Sequence, residues 1–332
     1  MLDPRTELAD LHIHVGAAVA PHILWSIAHD QGFKLPVSTY WEFRDLVTAT
    51  PSTVSSLGDY LAILHQWTEK IQSSPAAIER SINEINGKEF RSSSVTLIEL
   101  RFNPMKRNLG GERDLDHIIH AALRGMDRAC LEYGVRAGLI FCLAREFPFM
   151  LNEILVKKAV KYRSRGVIGI DLAGPEIHTL ELSPEAEGYK ELFSRARAAG
   201  LGTTVHTGET AYTSARGVLA VIDKLAPSRI GHGVAAAADP EAIRRLAETG
   251  TVLEICPSSN LRTHAVADLA ELGTALRAFG AAGVRFTINT DGPYLLNTHL
   301  RQEIELLLGA SILTEAQVEQ CIANAHSATF LR

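Results

Sequence analysis

The chain has 332 residues, 46% of them hydrophobic and 21% charged, with a formal net charge of −5. That composition is ordinary for a globular protein; it offers no basic face for nucleic acid and no apolar run long enough to cross a bilayer. The four cysteines, Cys130, Cys142, Cys256 and Cys321, are far apart with no CxxC, which argues against a disulfide framework and a zinc knuckle alike. The opening Met1-Leu-Asp-Pro-Arg-Thr-Glu has no basic stretch followed by an apolar one, so no secretory signal is expected and a cytoplasmic, reducing setting is the default.

Eight short apolar runs follow in order. They are Glu7 to Val15, Val95 to Phe102, Val135 to Leu143, Val167 to Leu172, Leu201 to His206, Arg229 to His232, Thr251 to Cys256 and Val284 to Asn289. Continuous runs of this kind suit parallel strands covered on both faces. Amphipathic stretches separate them, among them Asp114 to Tyr133, Pro184 to Ala199, Asp239 to Thr249 and Ala267 to Ala282. Gly134, Gly200, Gly250 and Gly283 supply stop signals, and Ser183-Pro184 and Asp239-Pro240 read as helix starts. Strand and helix alternating eight times predict an α/β protein, a (β/α)8 TIM barrel. A doubly wound sheet is disfavoured, because no Gly-rich phosphate loop follows the first strand. About 80 residues separate the first two strands. They contain helix-like pieces at Pro21 to Asp30, Trp41 to Thr48, Leu57 to Gln72 and Ala76 to Phe90. We therefore expect a single barrel domain over 1–332 with a helical insertion at 16–94. On a barrel's C-terminal face that insertion is either a lid over the site or a decoration without a chemical role.

Chemistry-bearing residues recur at strand ends. His12 and His14 sit at i and i+2 and share a face. His206 and His232 close the fifth and sixth strands, and Asp291 follows the eighth. Three histidines and an aspartate with an open position make a catalytic metal site, and imidazole suits zinc, with iron or manganese as alternatives. Such a metal lowers the pKa of bound water to roughly 7. Attack on an unsaturated carbon then needs one group to orient or deprotonate the water and another to protonate the atom that gains charge. His232 is placed for the first task, unless it is a ligand or a core histidine. Glu209 is placed for the second, unless it is only a carboxylate at a helix N-terminus.

With these residues in view, the chain resembles the adenosine deaminase family of the amidohydrolase superfamily. The likeness runs over nearly its whole length. It is carried by Asp10-Leu-His-Ile-His14, Glu99-Leu-Arg-Phe-Asn-Pro104, Gly169-Ile-Asp-Leu-Ala-Gly-Pro-Glu176, His206-Thr-Gly-Glu209, Arg229-Ile-Gly-His-Gly233, Glu254-Ile-Cys-Pro-Ser-Ser-Asn260 and Asn289-Thr-Asp-Gly-Pro293. The resemblance implies a barrel with one Zn2+ per chain that hydrolyses the exocyclic amine of a 6-aminopurine nucleoside. It implies His12, His14, His206 and Asp291 as metal ligands, with His14 and the backbone of Gly174 also facing substrate. Glu209 would protonate a purine ring nitrogen, His232 would orient the water, and Asp291 would accept a hydrogen bond from it. The partner implied is a small purine, with neither nucleic acid nor membrane, and a helix-clad exterior allows a homodimer without requiring one.

Two positions depart from the family pattern. The carboxylate usual two residues after the HxH is Gly16, and the second aspartate usual after the last ligand is Gly292. Both would contact substrate rather than metal, so a roomier and less acidic pocket is expected, suited to a 5′-modified adenosine or another aminated heterocycle. Arg101 fits the nucleoside branch or a structural ion pair. Free adenine as substrate, a different hydrolase on the same barrel, and a non-enzymatic purine- or metal-binding module are the alternatives. The cytidine type of zinc deaminase is set aside for want of its H-x-E and P-C-x-x-C pattern.

Overall fold

The computed structural model describes residues 2–109, 113–177 and 185–332. Its strands are β1 (Leu8–His14), β2 (Val95–Phe102), β3 (Arg136–Ala144), β4 (Val167–Ala173), β5 (Gly202–Thr207), β6 (Arg229–His232), β7 (Val252–Ile255) and β8 (Phe286–Ile288). Each pairs in parallel with the next, in chain order. Helices follow every strand, so the architecture is the expected (β/α)8 barrel. β8 and β1 meet through a bridge between Ile13 and Asp291. Backbone hydrogen bonds from His14 N–H to Asp291 O (2.7 Å) and from Asp291 N–H to His12 O (2.8 Å) hold that seam. The Leu11 N–H adds a bond to the side-chain oxygen of Asn289 at 3.1 Å.

Strand alternation sorts the residues. On β1 the register slips between Asp10 and Ile13, so Leu8 and Ile13 join the main core, Ala9 and Leu11 pack in a small cluster with Leu97 and Ala325, and His12 meets Glu254. The outer residues bury against the helical ring, whose 19-residue helix Leu115–Tyr133 and 10-residue helix Pro240–Thr249 start on Asp114 and Asp239 caps. The helix of the fourth unit is described from Ala186, so the expected start at Ser183-Pro184 lies outside the described residues. At the barrel floor Phe330 lies over the Arg229 guanidinium at 3.6 Å, and its N–H donates to Glu99 at 2.6 Å.

The long stretch after β1 forms helices Pro21–Asp30, Tyr40–Leu46 and Leu57–Ile63, a π-helical turn Leu64–Thr68, and the helix Pro75–Ser93. Ser74 caps the last of these, with Pro75 in its first turn. That helix packs along Leu115–Tyr133 and takes a place in the outer ring. The preceding pieces lie over the strand ends: Ala49 N–H bonds to Leu295 O at 2.8 Å, and the Gln72 amide to Gly16 O at 3.3 Å. Among the described residues no helix is long and apolar enough to cross a membrane.

Candidate active site

β1 delivers His12 and His14, and β5 delivers His206. One ring nitrogen from each lies within 4.8 Å of the others. The Nε2 atoms of His14 and His206 are 3.0 Å apart. Asp291 Oδ1 is 3.6 Å from His14 Nε2 and 3.9 Å from His12 Nε2. Its other oxygen accepts from the Ser259 hydroxyl at 2.6 Å. The four residues implied as metal ligands therefore converge.

The donor set fits a cation. His12 Nδ1 is 2.7 Å from Glu254, and His206 Nδ1 is 2.9 Å from Asp171. Each carboxylate accepts a hydrogen bond from Nδ1–H, which keeps the ring proton there and leaves the Nε2 lone pair facing inward. His12 Nε2 is buried with no hydrogen-bond partner among the described residues. Burial, with Arg101 and the neighbouring imidazoles, holds His12 well below the ordinary histidine range, and burial and His206 do the same to His14. A buried, neutral, unpartnered acceptor facing other lone pairs is the arrangement a metal ion completes.

Beneath the histidines runs a buried chain of charge. Arg229 pairs with Glu99 and with Glu254. Arg101 pairs with Glu254 at 2.9 Å and with Asp171 at 3.1 Å. Arg101 is thus a structural charge partner, fully buried below the site. Three carboxylates against two guanidiniums leave one negative charge, and Asp291 adds another. Buried ion pairs are poor sources of stability; this one fixes the rings that carry the open nitrogens. No role had been assigned to Asp171 or Glu254 from sequence, although each is a charge inside an otherwise apolar run.

Glu209 lies beyond the end of β5 in an irregular turn, and the next helix begins only at Ser214, so it is not a helix N-terminal carboxylate. Glu176 holds the turn by accepting from the N–H of Thr210 (2.7 Å) and the hydroxyls of Thr210 and Thr213 (2.6 Å each). Burial raises the Glu209 pKa well above the ordinary carboxyl value, reinforced by Glu176 and Asp291. Its Oε2 is 3.5 Å from His232 Nε2. His232, at the end of β6, is pushed down to about 3 by burial and stays neutral. Its Nδ1 is 3.0 Å from the Asn260 amide nitrogen, which places the ring proton on Nε2. A carboxyl that burial biases toward its protonated form and a neutral imidazole thus face each other beside the metal nitrogens.

Gly174, at a φ of 105°, and His14 border one cavity with Leu61, His65, Glu69, Lys106 and Arg107. A side chain at Gly174 would strike the Glu146 carboxylate. The two departures from the family pattern are filled rather than open. A Cβ on Gly16 would lie 3.1 Å from Glu69 and 3.2 Å from both Arg107 and Leu64. A Cβ on Gly292 would lie 2.6 Å from Ala17 Cβ and overlap the Tyr60 hydroxyl. The expectation of a roomier pocket fails at both positions, because insertion side chains occupy the space. No local sequence signal pairs residue 69 with 16 or 60 with 292.

The chain is similar to known proteins over nearly its whole length. The family model described as adenosine deaminase matches residues 7–332. An adenosine deaminase of Vibrio vulnificus (strain YJ016) is 31% identical over 310 residues, covering 93% of this chain and 89% of the relative. An adenine deaminase from Arthrobacter aurescens has the same fold, with a TM-score of 0.85 at 21% identity over 98% of this chain and 94% of that one. A zinc-bound amidohydrolase from Burkholderia ambifaria superposes with a TM-score of 0.84 at 22% identity over 99% and 87% of the two chains. The chain belongs to the adenosine deaminase family.

Proposed function

We propose that the protein hydrolyses the exocyclic amine of a 6-aminopurine nucleoside, adenosine or a derivative of it, releasing ammonia and the 6-oxo product. Membership of the family makes it a hydrolytic deaminase; the substrate and the residue roles are our reading. The observation that carries it is the pairing of a proton-bearing Glu209 with a neutral His232 beside three inward-facing imidazoles.

His12, His14, His206 and Asp291 would hold one zinc ion, a choice supported by the imidazole-rich donor set. When bound, such an ion lowers the pKa of water toward neutrality. The remaining work falls to the chain. The His232 Nε2–H holds the attacking water, and Asp291 accepts a hydrogen bond from it and passes the water's proton to the departing amine, which leaves as ammonia. Glu209 donates its proton to the ring nitrogen next to the attacked carbon, relieving the charge that develops there. The Gly174 backbone meets another ring nitrogen. Glu69, packed against Gly16, returns a carboxylate to the wall beside His14 and keeps a ribose contact available.

The test is an ammonia-release screen of zinc-loaded protein against adenosine, 2′-deoxyadenosine, adenine and 5′-substituted adenosines, with Glu209→Ala alongside. Turnover of a nucleoside, abolished in the variant, is the expected result. Turnover of adenine alone would move the substrate to the free base. No turnover of any member would remove the reading.

A further inference from the structure

The turn Pro104–Arg107 after β2 brings two cations, Lys106 and Arg107, to the cavity that also borders His14, Gly16, Glu69 and Gly174. Arg107 is fully buried. One of its terminal nitrogens lies 2.9 Å from Glu69. Its Nε and its other terminal nitrogen have no hydrogen-bond partner among the described residues. Lys106 reaches Glu146 at 2.6 Å and His65 Nε2 at 3.0 Å, which leaves one donor of its ammonium unused. A guanidinium taken out of water needs acceptors in return. Glu69 is the only carboxylate among the described residues lining the cavity, and its second oxygen is shared with His65, 3.6 Å away. Glu146, which pairs with Lys106, lies outside that lining.

The place of these donors relates them to substrate. The family pattern has a carboxylate two residues after the HxH, on the ribose side, and this chain has Gly16 there. A Cβ on Gly16 would lie 3.2 Å from the terminal nitrogen of Arg107 that lacks a partner. Bare backbone has taken the place of an acidic group, and the edge of a guanidinium lies against it. The two observations are independent: one is a set of missing acceptors, the other a position that has lost its carboxylate. Spare donors on two cations suit a group that only accepts and carries negative charge.

We propose that the cavity beside His14 is a subsite for an anionic 5′ substituent, a carboxylate or a phosphate ester, held by Lys106 and Arg107. The inference rests on the deaminase reading above and narrows its substrate to an adenosine with an acidic 5′ group. With the purine held by Glu209 and the Gly174 backbone, the ribose lies toward the segment after His14, where the two cations are. Glu69 remains for a ribose hydroxyl. Its charge opposes a second anion, so it limits the preference that the cations create.

The experiment compares adenosine, adenosine 5′-monophosphate and adenosine-5′-carboxylic acid on zinc-loaded wild type, Lys106→Gln and Glu69→Gln. Arg107 is enclosed, so its carboxylate partner is changed in its place. The readout is the ratio of kcat/KM for each anion to that for adenosine. Wild type is expected to favour at least one anion by about 10- to 100-fold, and the better arm identifies phosphate or carboxylate as the group. Lys106→Gln is expected to lower that ratio about tenfold. Glu69→Gln, which removes the opposing charge, is expected to raise it. Opposite signs separate contact with the anion from general damage to the wall. A wild type that uses adenosine at least as well as both anions overturns the subsite while the deaminase reading stands. A ratio that stays put in Lys106→Gln, or falls in Glu69→Gln, does the same. Absence of turnover on every purine by wild type removes the deaminase reading and this subsite together.

Discussion

His232 and Asp291 both hold a φ of 61°, a left-handed conformation that non-glycine residues seldom adopt. His232 ends β6 and Asp291 follows β8, and both lie at the barrel mouth, so the strain sits where the chemistry is proposed. The carboxylates behind the imidazoles make a sharper test. Asp171→Asn and Glu254→Gln each remove the negative charge that holds a histidine proton on Nδ1, leaving only a weaker amide acceptor. Either is expected to weaken zinc binding about 10- to 100-fold, read by competition with a chromophoric chelator; unchanged affinity would detach these residues from the metal. Glu209→Gln should do the reverse, keeping zinc while kcat falls by about 10²- to 10⁴-fold. The split of roles follows from what one sequence displays. His12, His14, His206, His232 and Asp291 were legible because polar groups closing apolar runs share one end of a barrel. Arg101 was legible as a structural ion-pair residue but its partners Asp171 and Glu254 were not, because a charge within a strand reveals its partner only when strands distant in sequence come together.

Among the elements, the strands were read closely because each apolar run stops where the chain leaves the sheet. β2 and β6 have the expected bounds. β8 is the three residues Phe286–Ile288, shorter than the expected run, since Arg285 is exposed and bonds to Gly250 O. The insertion was legible as helices, with a lid over the site as one of two readings, but which of its side chains meet Gly16 and Gly292 was not. Its π turn is the physical reason. In an unbroken α-helix Tyr60 and Leu64 would be followed on their face by residue 68. One extra residue in the turn brings Glu69 there instead, beside Leu64 and against Gly16. The ring helix Pro75–Ser93 holds a different anomaly, Glu89, fully buried with neither carboxyl oxygen hydrogen-bonded among the described residues. Burial, then the Asp10 carboxylate, pushes it up to about 8 from 4.5. Between those values the folded chain binds the extra proton. This group's contribution is therefore whole below pH 4.5 and declines as pH rises to 8, by about 1.4 kcal/mol per pH unit. Glu89→Gln, which stays neutral, should gain on wild type in thermal melts as pH goes from 5 to 8. Parallel melting curves across that range would show that Glu89 is ionised throughout.

At the scale of the whole molecule, the implied metal ligands come from β1, β5 and the segment after β8, so an ion bound there joins parts of the ring that are far apart in sequence. Binding to the folded chain alone stabilises it by mass action. Saturating zinc is expected to raise Tm by roughly 5–15 °C over chelator-treated protein, measured by calorimetry; equal melting temperatures would place the cation elsewhere or show that binding is weak. The eight-strand order and the helical shell followed from hydrophobic pattern. The polar column from Glu99 to His206 did not, being a property of the closed barrel. The seam between β8 and β1 has a consequence of its own. It is the shortest joint in the ring, and its two backbone bonds belong to His12, His14 and Asp291. An ion held by the implied ligands would then clasp the shortest joint. Emptying the site should loosen the amides of His14 and Asp291 first, visible as early hydrogen–deuterium exchange at that seam while β2 to β4 remain protected. Loss of the cofactor would register as an opening of the barrel itself, before any general unfolding.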